Sequence, residues 1–421
     1  MALESHISAS EDVLLDGLSF KTPGTGSYIT EKKYATWACQ SGNRFAPNSQ
    51  SLMTFKLTDP NWLSGFDAKL MFTLHNNSSS NPLTPVVSPM CVFTRMRTIV
   101  SGQVCEDVSQ LERCITMMET LQPEARRFNN QISGWGGASA NHDNQDGYDA
   151  IPASGSRTVV VTIPSALLNQ PKWLPRGLMG GLTIELELGS ADQAFNGTGN
   201  DWFIDEPRVL GSVYCLDSSV QNSFASHMLS SKPLSIPYAP LFSAIHLVAS
   251  KDFDINVARG FTRLDTIYCT LYKASTGKFA NTFYHAAGAT NPLAKASDIV
   301  QFQSQLGAKK MPEREIRSLA EFFLRLQQSQ NVALGTESMA ITTREYHSDK
   351  FITAIDCERS SGGPQGPAAY TGLSTRDGAL LQLSWKNTGG AAGDAPPEQA
   401  HVVLQYSAVL QLQDGTATIY E

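Results

Sequence analysis

The chain of 421 residues is long enough for two or three domains of ordinary size, and its charged fraction of 17% is low for a soluble protein. A formal net charge of −7, without any cluster of lysines and arginines, argues against direct coating of nucleic acid, which needs concentrated positive charge. Frequent glycine and proline, 32 and 21 residues, favour a β-rich protein with long connections.

Residues 1–50 contain four basic and five acidic residues, and we predict an N-terminal extension that is not a basic arm. Residues 1–10 lack the apolar core of a signal peptide, and no apolar run approaches the ~18 residues of a membrane span. The seven cysteines include no Cys-x-x-Cys pair, and their odd number favours free thiols in a reducing compartment.

The first predicted unit begins near Ser51 and contains strands whose apolar and polar residues alternate. These strands are predicted at 51–57, 68–74, 91–100, 182–188 and 209–215. The β-branched run 158–163 predicts a further strand that is buried on both faces. Glu185 and Glu187 are expected to face solvent or a cation on a neighbouring strand.

A short helix is predicted after the strand 91–100. Ser101 and Gly102 are expected to turn the chain into this helix, and Pro123 and Glu124 to end it. Its apolar residues have the spacing i, i+3, i+7 and i+10, which forms one stripe of Val108, Leu111, Ile115 and Met118. A helix of this length is marginal alone, so we expect the stripe to pack against a sandwich.

A second unit repeats this order about 200 residues later. The stripe recurs at a constant offset of 208 residues (316 − 108) as Ile316, Leu319, Phe323 and Leu326. Pro312 and Glu313 are predicted to lie in the first turn of this helix. Strands are predicted near 245–247, 267–271, 300–306, 351–355, 379–385 and 403–413. A repeat of this length indicates a duplicated domain and not a solenoid.

These elements predict an all-β fold with short inserted helices. The loops are too long for simple hairpins, so strands that are distant in sequence have to pair, as they do in an antiparallel jelly roll. We therefore predict two tandem jelly-roll β-sandwiches, at 51–230 and 231–421, after the extension 1–50. The junction is expected within the segment 218–240, which is rich in serine and proline.

No residue pattern predicts catalysis, a cofactor or a metal site. Five candidates lack the residues that their chemistry needs. His142 lies in an acidic loop that does not match the spacing of an EF-hand, Ser27 lacks the nucleophile-elbow pentad, and His347 lies between Glu345 and Asp349 on a polar strand. Lys278 follows its serine and glycine in the reverse of the phosphate-loop order, and the glycines at Gly134 lack the lysine of that loop. The sequence therefore predicts no catalytic residue, no cofactor and no metal, and a structural role for the chain.

Three stretches carry a resemblance to a known family: 169–175 leading into 182–188, then 302–307 continuing through 317–321, and the end from His401 to Leu404 with Leu410, Asp414 and Gly415. From Ser51 onward the chain resembles the double jelly-roll major capsid proteins of polinton-like viruses and of related endogenous elements of algae and other protists. The resemblance implies homotrimeric, pseudo-hexameric capsomers, an icosahedral shell around double-stranded DNA, and no enzymatic residues.

The same resemblance implies a location in the virion, assembled inside the host cell. Its partners would be neighbouring capsomers and minor capsid or penton proteins, with contact to an internal membrane left open. Two alternatives remain at this point. A carbohydrate-binding or carbohydrate-cleaving sandwich would use Glu185 and Glu187, which lie about 7 Å apart along a strand. A minor virion component such as a penton or spike would differ in its copy number per particle.

Overall fold

In the computed structural model the described residues are 28–85, 88–123, 150–170, 172–195, 198–230, 232–272, 300–330, 339, 341, 346, 350–359, 371–376, 380–388, 396–413 and 415–421. Among them, most regular elements are strands. No helix among these residues is long and apolar enough to cross a bilayer.

The first half of the chain contains ten strands and two helices among the described residues. The strands are β1 (Ile29–Ala38), β2 (Arg44–Phe45), β3 (Leu52–Leu57), β4 (Trp62–Asn76), β5 (Phe93–Val100), β6 (Gln103–Ser109), β7 (Ser156–Thr162), β8 (Leu174–Pro175), β9 (Leu182–Leu188) and β10 (Trp202–Leu216). The helices are α1 (Leu111–Thr120), which lies between β6 and β7, and α2 (Ser218–Leu229), which follows β10.

The second half contains eleven strands and one helix among the described residues. The strands are β11 (Leu234–Tyr238), β12 (Leu241–Leu247), β13 (Phe253–Val257), β14 (Leu264–Tyr272), β15 (Gln301–Leu306), β16 (Lys309–Ile316), β17 (Thr353–Asp356), β18 (Leu381–Lys386), β19 (Gln399–Tyr406), β20 (Ala408–Gln413) and β21 (Thr416–Tyr420). The helix α3 (Leu319–Ser329) lies between β16 and β17.

Two sandwiches with the same strand order make up most of the fold. In the first, here called roll 1, sheet A has the order β1-β10-β4-β7 and sheet B the order β3-β9-β5-β6. In roll 2, sheet A has the order β12-β19-β14-β17 and sheet B the order β13-β18-β15-β16. Each strand of roll 1 therefore has an equivalent strand in roll 2, and the equivalent strands follow one another in the same order along the chain. In each roll, one helix precedes the last strand of sheet A, β7 or β17. Eight antiparallel strands in two sheets are a jelly roll, so the predicted duplication and fold class are confirmed.

Apolar side chains from the facing sheets fill each roll. In roll 1, Phe72 of sheet A meets Phe93 of sheet B edge to face, with ring centroids 6.1 Å apart. In roll 2, Trp385 lies between Phe302 and the helix residue Phe322, with centroid separations of 4.5 and 6.3 Å. Aromatic pairs of this kind add to the free energy of burial, and each roll therefore has a core of its own.

The predicted helix starts were wrong in both units, because a strand lies between the turn and the helix. Ser101 and Gly102, with φ of 50° and 80°, form the two-residue turn of the β5–β6 hairpin, for which positive φ at both positions is favourable. Val108 therefore lies on β6, and Ile316 lies on β16. Pro312 and its neighbour Glu313 also belong to β16 and not to the first turn of a helix.

Three further elements differ from the sequence predictions. Strand β1 lies inside the segment predicted as an extension and pairs with β10 from Ile29 to Ala38. Strand β7 is buried at one position only, so its second face is not covered as predicted. The predicted last strand, 403–413, is two strands, β19 and β20, and β20 joins β11 and β21 in a third sheet, here called the C-terminal sheet.

Candidate functional site

The five residues considered in the sequence as catalytic or ligand-binding candidates cannot be placed in a site. His142, Lys278, His347, Ser27 and Gly134 lie outside the described residues. Among the described residues, no group of three or more histidine, cysteine, aspartate and glutamate side chains has the geometry to hold a metal ion.

Glu185 and Glu187 face two arginines on the neighbouring strand. Arg97 of β5 lies directly opposite Glu185 of β9, and their charged groups are 2.7 Å apart. Arg95 lies opposite Glu187 in the strand register, and it forms an ion pair with Asp107 of β6 at 2.6 Å. The predicted cross-strand cation is confirmed. These contacts fit a charged sheet surface and not the paired carboxylates of a glycosidase cleft.

Replacing Glu185 with glutamine is therefore expected to have a small structural effect. Both partners are partly exposed, with side-chain exposures of 31% and 19%, so the ion pair contributes about 1 kcal/mol or less. Chemical denaturation should show this decrease in the free energy of unfolding. In a chain that already carries Arg97→Met, the ion pair is absent, so Glu185→Gln should cause no further decrease of this size. Selective binding on a glycan array that disappears in Glu185→Gln would instead support the carbohydrate alternative.

The buried carboxylate of Glu106 in roll 1 serves packing. Glu106 is 2% exposed and accepts hydrogen bonds from the Ser165 hydroxyl and from the backbone N–H of Ala166, 2.7 Å away. Burial raises the pKa of this carboxyl, while these hydrogen bonds oppose the rise. Glu106 thus ties β6 to the turn that follows β7, and its burial is matched by hydrogen bonds.

All seven cysteines are free, and six are buried. Burial raises the pKa of Cys91, Cys114 and Cys269 to about 12 each. A thiol at such a pKa remains protonated at neutral pH, and the thiolate is the reactive species. These cysteines therefore act as small apolar core residues and not as nucleophiles.

The most extensive functional geometry is the contact between the two rolls. Strand β6 and helix α1 of roll 1 lie against the outer face of sheet A of roll 2. The Ser109 hydroxyl donates to the carbonyl of Ser243 at 3.2 Å, and the Arg113 guanidinium donates to the Gln399 side chain at 3.0 Å. The same guanidinium lies 4.2 Å from the ring centre of Tyr272, a cation–π contact.

His401 lies at the centre of this contact and is completely buried. Its Nε2 is 2.7 Å from the Ser243 hydroxyl and 3.9 Å from the Cys114 sulfur of the other roll. Burial, with the nearby charge of Arg113 as a second cause, lowers the pKa of His401 to about 3. The imidazole is therefore neutral at physiological pH and belongs to the buried contact between the rolls.

The C-terminal sheet adds a second link between the rolls. The Tyr238 hydroxyl donates to the Cys105 carbonyl of β6 at 3.0 Å, and the Ser101 hydroxyl donates to the Gly415 carbonyl at 3.0 Å. At the end of the chain, Arg259 forms an ion pair with Glu421 at 2.9 Å. The last two strands therefore fix the position of roll 1 on roll 2.

The two rolls differ in which equivalent surfaces are covered. All nine residues of β14 are buried, whereas the equivalent β4 alternates between buried and half-buried residues from Ala68 to Asn76. Seven of the ten residues of α1 are buried, whereas α3 buries only Phe322 and Leu326 of its eleven. Roll 1 therefore covers part of sheet A of roll 2. The equivalent face of sheet A of roll 1 is covered only in part, where Phe224 of α2 packs on Trp62 and Trp173 stacks on Tyr214, and α3 of roll 2 is mostly uncovered.

Comparison with known proteins agrees with this architecture. No protein-family model and no curated protein sequence matches the chain. The capsid of the virus PBCV-1 matches at a TM-score of 0.63 with 11% identity over 96% of this chain and 99% of that one. The Faustovirus major capsid protein matches at 0.61 with 7% identity over 97% and 96%. A chain of the Sputnik virophage matches at 0.58 with 9% identity over 96% and 91%. The chain therefore has the double jelly-roll fold of these viral capsid proteins.

Proposed function

We propose that this chain is a viral major capsid protein, a structural subunit of the virion that assembles with further copies of itself into trimeric, pseudo-hexameric capsomers. The observation that carries the proposal is the contact between the rolls. Within one chain, β6 and α1 of roll 1 already pack against sheet A of roll 2. The equivalent surfaces, sheet A of roll 1 and α3 of roll 2, are less covered and could form the same contact with another chain.

The open surfaces form one complementary pair. The first is the outer face of sheet A of roll 1, here called the open sheet face, where Tyr34 is 84% exposed. Lys32 lies over the rings of Tyr34 and Tyr214 at 5.1 and 5.5 Å. The second is β16 with α3 of roll 2, here called the open helix edge, where Leu324 is 44% exposed. The equivalents of these two surfaces are sheet A of roll 2, and β6 with α1 of roll 1. These two equivalents are in contact with each other inside the chain.

Repetition of the internal contact between chains would join the open helix edge of one copy to the open sheet face of the next. Such a contact is heterologous, because two different surfaces meet, and a heterologous contact that closes produces a ring. Three copies would then place six similar rolls in a nearly hexagonal block. Blocks of this shape can tile an icosahedral shell, which also accounts for the duplicated fold without an active site among the described residues.

The strand equivalence also supports a division of the chain into domains. The first roll would begin with β1 at Ile29, because β1 is the counterpart of β12, and would end before β11. The second roll would run from β12 to β19, with the C-terminal sheet as a clamp between the two. Minor capsid or penton proteins and an internal membrane are further proposed partners, and the resemblance to polinton-like viruses remains the basis for the virus group.

The oligomeric state tests the proposal directly. Sedimentation of the purified chain at micromolar concentration is expected to give a particle of three times the 45.7 kDa chain mass, and electron microscopy at high concentration should show hexagonal sheets or shells. A chain that remains monomeric at micromolar concentration and never forms ordered arrays would contradict a role as major capsid protein.

Charged substitutions on the open surfaces are expected to separate the trimer. Tyr34→Asp and Leu324→Asp each place a carboxylate in the proposed contact between chains, where an unpaired buried charge is costly. Each change should weaken trimer association by at least about a hundredfold, the size of a hot-spot effect, with the monomer still folded. Leu380→Asp is the matched control, because Leu380 is 59% exposed but lies beside sheet B of roll 2. Trimers of unchanged stability in both test variants would place the contact elsewhere.

A further inference from the structure

A buried arginine in roll 1 lacks the acceptors that its position requires. Arg176 is 5% exposed, and its Nε and Nη1 have no hydrogen-bond partner among the described residues. No carboxylate of the described residues forms an ion pair with it. Burial lowers the pKa of Arg176 to about 10, and the more distant charge of Asp59 only partly opposes this shift. Burial of a guanidinium without hydrogen-bond partners is unfavourable, so an acceptor for this side chain would stabilise the folded chain.

The side chain lines a cavity of about 330 Å³ at the end of roll 1 where β3 ends and β9 begins. Here it is called the Arg176 cavity. Its charged lining residues are Arg176, Lys56 and Asp59. Lys56 is exposed. Asp59 is engaged locally, because its Oδ1 accepts from the backbone N–H and the side-chain amide of Asn61 at 2.9 and 2.8 Å.

Close backbone contacts fix the shape of the cavity wall. A Cβ on Gly177 would lie 2.7 Å from the Pro60 carbonyl oxygen, so only glycine fits against this turn. Gly180 has φ of +65°, and a Cβ there would lie 2.9 Å from the Gly415 carbonyl oxygen. The segment 176–181 is thus held between the turn after β3 and the C-terminal sheet. A wall with so little freedom keeps the guanidinium in place before any ligand arrives.

We propose that the Arg176 cavity binds a carboxylate group. Two cations and one anion give the lining a net charge of +1, which one singly charged oxyanion neutralises. Carboxylate oxygens accept charge-assisted hydrogen bonds from guanidinium N–H groups, and the Nε and Nη1 of Arg176 have no other partner here. A dianion such as sulfate would leave an excess negative charge beside Asp59. The carboxylate comes either from a small organic acid or from an acidic side chain of another polypeptide.

The test uses the full-length chain and follows thermal unfolding as chloride is replaced by acetate at constant ionic strength. A ligand that binds the folded state raises the melting temperature as its concentration increases. We expect acetate to raise the melting temperature of the wild-type chain more than that of Arg176→Met, whereas sulfate, which stabilises folded proteins in general, should affect both equally. Arg176→Met should weaken acetate affinity at least tenfold, and Lys56→Met, a change at an exposed position, should weaken it about threefold. Lys33→Met, at an exposed lysine on β1, should leave the response unchanged.

A second arm replaces acetate with N-acetyl-glutamate methylamide, a model of an acidic side chain in a polypeptide. Binding at least as tight as that of acetate assigns the cavity to an acidic side chain, and binding of acetate alone assigns it to a small organic acid. Difference electron density for acetate within hydrogen-bond distance of the Arg176 guanidinium would support the site. An equal acetate response in the wild type and in Lys56→Met and Arg176→Met, or a sulfate response that falls in these variants as much as the acetate response does, would overturn the proposal. Because Lys56 is exposed, that comparison holds even where Arg176→Met does not fold.

Discussion

Replacement of Ile316 with aspartate is expected to prevent roll 2 from folding. Ile316 is fully buried at the end of β16, where it pairs with Phe302 of β15, itself 1% exposed. An aspartate there would place an unpaired charge in the core and remove the packing of the isoleucine, at a cost of several kcal/mol. That loss is comparable to the whole stability of an ordinary domain. The expected readout is loss of soluble chain, with any remaining protein lacking the cooperative unfolding transition of roll 2.

A control on the same strand separates burial from the introduction of charge. Arg314 is exposed on β16, so Arg314→Asp reverses a charge without entering the core and should leave solubility and the unfolding midpoint nearly unchanged. Phe323→Asp is expected to be intermediate, because Phe323 is half-buried and its ring lies 5.1 Å from that of Tyr346. Soluble, normally assembled Ile316→Asp protein would show that this end of β16 is not part of the core.

The alternation of apolar and polar residues predicted the strands whose two faces differ in burial. Strand β9 begins and ends at the predicted residues, and its burial alternates at every position from Leu182 to Leu188. Period 2 is informative here because one face packs on sheet A while the other carries Glu185 and its arginine partner. The duplication was visible for the same reason, since both rolls use the same sequence of half-buried strands.

The sequence-based prediction was wrong where one pattern of apolar residues is compatible with a helix and with a strand. Val108 and Leu111 have helical spacing, yet Val108 closes the hairpin with β5 and only Leu111 starts the helix. Local signals were present for the correct assignment. The Ser101–Gly102 pair suits a two-residue hairpin turn, and Ser318, whose hydroxyl accepts from the N–H of Glu321 at 3.2 Å, forms a helix cap that marks the start of α3. Strand β1 lacked any signal, because only Trp37 on it is buried.

The contact between the rolls and the Arg176 cavity could not be found from the sequence. Both depend on residues that are far apart in the chain and whose types carry no pattern of their own. Cys114 lies 287 residues before His401, and Ser101 lies 314 residues before Gly415. Burial of these groups follows from the docking of two rolls, and docking depends on surface shape. Hydrophobic periodicity reports only which face of an element is covered, not which surface covers it.

Acid is expected to weaken the contact between the rolls through His401. The pKa of this imidazole is about 3 in the folded chain, against 6.5 for an exposed histidine. Below pH 6.5 the unfolded chain therefore takes up a proton that the folded chain does not, and stability falls until the pH reaches about 3. This difference corresponds to a loss of about 5 kcal/mol in the free energy of unfolding. The ionisable groups around the ring are Arg113, Cys114 and Tyr272, and none of them supplies a negative charge near neutral pH.

His401→Gln removes the titrating group and keeps a hydrogen-bonding side chain beside Ser243. Urea denaturation at pH 7, 5.5 and 4 should show a smaller loss of stability with acid in this variant than in the wild type. His227→Gln, at an exposed histidine on α2, should behave as the wild type does. Parallel pH profiles for the wild type and His401→Gln would mean that the imidazole is protonated in the folded chain.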